Sequence, residues 1–426
     1  MATQSSTNNL NNWKARFFTI WGGQALSLIG SQLVQFALIW WLTSETGSAT
    51  VLTFATLAGM LPQVIIGPFV GTLVDRWNRK RIMIAADSLI ALVTLVLAYL
   101  FAINQVQIWT VYLAMFFRSS GTAFHQPAMQ SSTSLMVPEE HLTRVQGANQ
   151  TLRGGLNIIS APLGALLLEF LPISSILGID VISALFAVTP LFFIDLPQPK
   201  KDKRKDTVKA INTIWDDFKE GIRYVTDWPG LVLITVMAII LNMIIAPAFA
   251  LLPLLVKNYF NGSALELGWV ESALGIGTVL GGLTLSAWGG FSKRIVTTLT
   301  GLITSSVGFF LVALSPPTLL SMAIAGVFII GVMITMVNGP IFAILQATVD
   351  PAMQGRVFTL TNSGASAMAP LGLIIAGPLA EVTSVQAWFF ASGLAMLGFG
   401  IAGFFIPAVV NIEGKDQKAP TEQTLR

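Results

Sequence analysis

Twelve stretches of this 426-residue chain are mostly apolar over some 20 residues or more. About 20 such residues, coiled as a helix, cross a hydrocarbon core of about 30 Å. The stretches lie near 16–43, 50–74, 81–102, 107–134, 142–169, 173–195, 229–256, 265–289, 294–314, 318–346, 357–381 and 385–409. In hydrocarbon each segment has to satisfy its own backbone N–H and C=O groups, which leaves the helix as its only form. Composition agrees. The chain is 54% hydrophobic and 11% charged, with a mean hydropathy of +0.72, whereas soluble domains carry roughly 25% charged residues. The expected fold is an all-α membrane protein of twelve transmembrane helices, solvated by the lipid bilayer.

Basic residues collect on the cytoplasmic side of membrane proteins. With the N-terminus inside, 21 of the 24 Lys and Arg residues fall on that face. Arg118 and Arg153 lie within spans, and Lys257 is in an outer loop. An N-in, C-in topology is expected. The first twelve residues are polar and uncharged, without the basic region and cleavage site of a signal peptide, so the first span is expected to be retained. With no cysteine and only His125 and His141, disulfides and thiolate sites are excluded, and no metal or cofactor is expected. No Gly-x4-Gly-Lys-Ser/Thr loop occurs, which argues against direct ATP drive. No histidine pair or carboxylate cluster has metal-ligand spacing, which argues against an enzyme. No nucleic-acid partner is expected.

The spans divide into two sets of six. Residues 1–195 are expected to form one bundle and 229–410 the other. Residues 196–228 form a cytoplasmic linker, and 411–426 a disordered cytoplasmic tail. In the linker, after the basic run Lys200–Lys205, residues Val208, Ile211, Trp215, Phe218, Ile222 and Val225 recur at helical spacing. Such an amphipathic helix either lies in the interface or packs on the ends of the spans. The two halves echo one another. Val137-Pro-Glu-Glu-His-Leu-Thr-Arg-Val145 follows span 4 and Val349-Asp-Pro-Ala-Met-Gln-Gly-Arg-Val357 follows span 10; Ala161-Pro-Leu-Gly164 matches Ala369-Pro-Leu-Gly372. Repeated halves are how alternating-access transporters are built.

Between spans 2 and 3 stands Gly71-Thr-Leu-Val-Asp75-Arg76-Trp-Asn78-Arg79-Lys80-Arg81. It resembles the signature cytoplasmic loop of the major facilitator superfamily, Gly-x-Leu-Ala-Asp-Arg-x-Gly-Arg-Lys. The resemblance implies two pseudo-symmetric six-helix bundles, a monomer, and a latch formed by Gly71, Asp75, Arg76, Arg79 and Lys80 against span 11 near Arg356. Asn78 stands where the family has glycine. Asn tolerates a left-handed backbone better than other non-glycine residues, so such a turn is expected there. The counterpart loop, Trp288-Gly-Gly-Phe-Ser-Lys293-Arg294, lacks the acid. A topology signal alone would explain the basic residues, though not Gly71, Asp75 and Arg76 together.

Charges inside a bilayer are costly and usually face a cavity or a partner. Span 4 carries Arg118, Thr122, His125/Gln126 and Met129 on one face. Span 5 carries Gln150, Arg153, Asn157 and Ser160, and span 1 carries Gln24, Ser27, Ser31 and Gln35. These stripes suggest a water-filled substrate cavity; interhelical hydrogen bonding is the alternative. The embedded acids Asp87, Asp180 and Glu271 are proton-coupling candidates, with Arg118 as tuning partner, unless they only form structural ion pairs. Arg118-Ser-Ser-Gly121 is similar to a span-4 motif of proton-coupled members. Gly154-Gly155 and Ala161-Pro162-Leu-Gly164 partly resemble a span-5 motif of exporters.

Asn12-Trp-Lys, Ile20-Trp-Gly-Gly-Gln-Ala and Arg118-Ser-Ser-Gly-Thr-Ala-Phe-His, with Val137-Pro-Glu-Glu-His-Leu-Thr, look like the macrolide-efflux branch of drug exporters over most of the first half. The resemblance implies a proton-coupled exporter of drug-like or amphipathic small molecules in a bacterial cytoplasmic membrane. A metabolite exporter, for example of an anionic siderophore, would suit Arg118 and Arg153; a solute importer is a third reading.

Overall fold

The computed structural model describes residues 13–74, 77–196, 219–350 and 353–413, without the side chains at 68, 69, 71, 72 and 359. Twelve long helices follow one another among these residues: α1 (Trp13–Thr46), α2 (Ala49–Val74), α3 (Arg79–Ala102), α4 (Ile108–Met136), α5 (Glu139–Phe170), α6 (Ile173–Phe193), α7 (Pro229–Ala250), α8 (Ala264–Trp288), α9 (Arg294–Leu314), α10 (Leu320–Thr348), α11 (Gln354–Val382) and α12 (Val385–Phe405). Each matches one apolar stretch of the sequence. Eleven are long and apolar enough to cross a membrane by length and composition. The exception is α4, where Arg118 and a run of hydroxyl and amide side chains dilute the apolar residues. Its inward polarity is what lowers its hydropathy.

Local chemistry sets the ends. Ser263 Oγ accepts from Leu265 N while Glu266 accepts from Ser263 N, a capping box that opens α8. Gly289 closes the same helix at φ 79°, where a side chain would be strained. The left-handed turn expected at Asn78 does not form. Asn78 is extended (φ −70°, ψ 110°), and its side chain accepts from Arg81 N at 3.1 Å, capping α3. Asn serves as well in that role as in a left-handed turn, and capping satisfies a backbone donor that the turn would leave open.

The chain divides into two compact units. One takes Met1–Glu45 and Phe54–Lys203; the other takes Thr46–Thr53 and Arg204–Arg426. In the first, α3 packs on α4 and α6; in the second, α9 packs on α10 and α12. These are the same positions in each set of six. The sequence echoes fall at matching places too. Val137 and Val349 terminate α4 and α10, each N–H bonding the carbonyl four residues back at 3.0 Å. Pro162 and Pro370 both lie within their helices. Large apolar side chains such as Phe193, Leu185 and Phe405 are exposed, as on a surface solvated by lipid.

Of the linker, residues 219–226 are helical. Tyr224, Val225 and Trp228 are buried, and Tyr224 Oη accepts from Asp350 N at 3.2 Å. This end therefore packs on the second unit. Val208, Ile211, Trp215 and Phe218 lie outside the described residues, as does the tail from 414.

Candidate functional site

Helix α6 places Asp180 in the interior of the first unit, with 1% of its surface exposed. A bare carboxylate cannot persist there without partners. Arg118 of α4 supplies the charge, its Nη1 lying 2.5 Å from Asp180 Oδ2. Ser31 of α1 donates to Asp180 Oδ1 at 3.0 Å. Thr94 of α3 accepts from Arg118, and its hydroxyl lies 3.2 Å from Asp180 Oδ2 and 2.8 Å from Ile90 O. Four helices thus meet at one buried ion pair. Gly30 makes the meeting possible, because a Cβ there would meet Ser183 Oγ and stand 3.0 Å from the Asp180 Cα.

A second acid, Asp87 of α3, is also buried. Gln24 Nε2 donates to its Oδ2 at 2.9 Å. His125 Nε2 lies 3.4 Å from its Oδ1, an electrostatic contact that is not a formed hydrogen bond. Asp87, Gln24 and His125 all line a cavity of about 300 Å³ within the first unit. A neighbouring cavity of about 450 Å³ shares Ser31, Thr122, Gln126 and Arg153 with it. All nine side chains expected at a substrate cavity line one or both: Gln24, Ser31, Gln35, Thr122, His125, Gln126, Gln150, Arg153 and Asn157. Arg118 lines the second cavity, whereas Asp180 lines neither.

Sequence reasoning missed part of this lining. Gln63 of α2 donates to Ser119 at 3.3 Å, and Asn149 accepts from Trp21 Nε1 at 2.7 Å. A lone amide within an apolar span, and a polar stripe extended back from Gln150 to Asn149 and Gln146, were legible signals. The second unit has a different interior. Its cavity of about 250 Å³ is lined mainly by apolar residues such as Leu241, Phe249 and Phe309, with Asn242 and Asn338 as the two amides of the lining.

The other described candidates line neither cavity. Glu271, in α8, is half-buried and has no hydrogen-bond or ion-pair partner among the described residues. Arg79 is buried and donates to Ser131 O at 2.7 Å, while Lys80 pairs with Asp195 at 3.3 Å. Both hold α3 to the ends of its own unit. Arg356, the partner expected for the loop, pairs with Glu220 at 3.0 Å. Gly71 belongs to α2, and its immediate surroundings are not described; Asp75 and Arg76 lie outside the described residues. No cluster of three or more metal-ligating side chains occurs among the described residues.

Two matching sets of six membrane helices, one of them hollowed by a polar cavity, have the build of a membrane carrier. Residues 20–373 and 231–424 match the family model of the Major Facilitator Superfamily, and the chain belongs to that superfamily. Macrolide efflux protein A of Streptococcus pyogenes is 35% identical over 392 residues, covering 92% of this chain and 96% of that protein. Multidrug efflux pump Tap of Mycolicibacterium fortuitum is 27% identical, covering 90% and 94%. Among solved structures, a peptide transporter POT shares the fold at TM-score 0.68 and 14% identity, covering 94% of this chain and 95% of that one. The nucleoside transporter NupG matches at TM-score 0.65 and 13% identity, covering 92% and 98%.

Proposed function

We propose that this protein exports a drug-like, amphipathic small molecule by proton antiport with alternating access, as a monomer in a bacterial cytoplasmic membrane with both termini inside. The observation that carries this reading is the polar cavity of the first unit, with an acid, Asp87, in its wall. A protonated amine on a substrate has a counter-charge there, and the amides of α1, α4 and α5 can take its hydroxyl and carbonyl groups. Relatives named for macrolide and multidrug efflux support the substrate class and the outward direction. The grouping of basic residues supports the orientation.

Export of an anionic metabolite is the second reading, and Arg153 favours it. This arginine lines both cavities and has no ion-pair partner among the described residues. Arg118 favours it less, since Asp180 neutralises it.

The two readings separate in a drug-sensitive bacterium expressing the chain. Accumulation of a macrolide is expected to fall, and to recover when an uncoupler collapses the proton gradient. Unchanged macrolide accumulation with a fall in an anionic siderophore would reverse the assignment. Asp75→Asn is expected to abolish the resistance while leaving membrane expression intact, as the loop's resemblance implies. Wild-type resistance in that variant would reduce the loop to a topology signal.

A further inference from the structure

A groove of about 600 Å³ lies between α3 and α4 and shares no lining residue with the polar cavities. Its walls are apolar, with Ala85 and Leu89 from α3 and Phe124 from α4. At the end where α3 begins stand Trp77, 53% exposed, and Arg81. Exposed tryptophan is typical of the headgroup level of a bilayer.

The three successive basic residues here are not equivalent. The Arg79 side chain is buried against Ser131 O, and Lys80 is held by Asp195 and the Phe192 carbonyl. The Arg81 side chain is exposed and has no partner among the described residues. Among the described residues, it is the cation of the three without a side-chain partner at the groove's mouth. The start of α3 adds the partial positive charge of a helix N-terminus. A planar guanidinium matches two phosphate oxygens at once. From Arg81 to Leu89 the helix rises about 12 Å, so a ligand held here has an anionic head and an apolar tail lying along the helices.

We propose that this groove binds an anionic phospholipid of the surrounding bilayer, its phosphate on Arg81 and one acyl chain along Ala85, Leu89 and Phe124. Charge complementarity at one end of an apolar channel sets this site apart from ordinary lipid contact, which has no headgroup preference. The proposal depends on the protein's place in a membrane and not on what it transports.

The full-length protein in phosphatidylcholine nanodiscs tests it, with small fractions of dibrominated lipid as quencher. The fluorescence of Trp77 is taken as the difference between wild type and Trp77→Phe. Dibrominated phosphatidylglycerol is expected to quench that component, and dibrominated phosphatidylcholine at the same fraction to leave it nearly unchanged. Arg81→Gln should erase the difference between the two lipids, and Arg144→Gln, at an exposed cation near the start of α5 and outside the groove, should keep it. Ala85→Phe, which fills the groove without touching the charge, should also lose the quenching. Equal quenching by both lipids, or a preference that survives Arg81→Gln, would overturn the proposal. Displacement of the brominated lipid by a macrolide would do the same, because it would assign the groove to substrate.

Discussion

Arg118→Leu is expected to leave little folded protein in the membrane, and Arg118→Leu combined with Asp180→Leu to restore most of it. Removing the arginine alone strands a carboxylate that is 1% exposed. Breaking a buried pair from one side costs about 3–5 kcal/mol, a large part of a typical stability of about 5–15 kcal/mol. The double variant removes both charges and strands neither, and replacing a buried ion pair by apolar side chains is often neutral or stabilising. Ser31 and Thr94 lose a partner, but each hydroxyl can turn to a backbone carbonyl of its own helix, as Thr94 already does with Ile90. The yield of monodisperse protein in detergent and its unfolding temperature check this. A double variant as defective as Arg118→Leu would mean that the two side chains do more than neutralise each other.

Glu271→Gln is expected to abolish transport driven by a pH gradient while leaving drug binding intact. Of the three embedded acids, Asp180 is held by Arg118 and Ser31, and Asp87 by Gln24 and the nearby His125. Glu271 has no such partner among the described residues, and it lies about 10 Å along α8 from Ala264. A carboxylate held by fixed partners keeps them whether or not water is near; one without such partners depends on its hydration alone. That is the property a proton carrier needs. In proteoliposomes, the Gln variant should bind a macrolide with unchanged affinity, yet accumulate no more of it under a pH gradient than vesicles without protein. Gradient-driven accumulation at the wild-type level would return the coupling role to Asp87 or Asp180.

Much of this site was legible in the chain. The stripes Gln24/Ser31/Gln35, Thr122/Gln126 and Gln150/Arg153/Asn157 could be read as faces because helical periodicity fixes which side chains share a side. All of them line the cavities of the first unit. The resemblance at Gly71, Asp75 and Arg76 led to the family, whose model matches along most of the chain. Asn78 was misread because sequence alone does not tell a capping asparagine from a left-handed one. Both are common uses of a short amide beside a helix.

The number, type and approximate ends of the helices were determined by the sequence alone. A bilayer leaves an apolar segment of about 20 residues only one way to satisfy its backbone. Which intramembrane charges meet was decided by the tertiary structure. Periodicity puts Arg118 on the polar face of α4, but Asp180 is 62 residues further along the chain. Nothing local distinguishes it from Asp87 as a partner. The choice depends on how closely α1 and α6 approach at Gly30 and on where α3 brings Thr94. These are facts of packing in three dimensions, where contacts between distant segments outweigh any local preference.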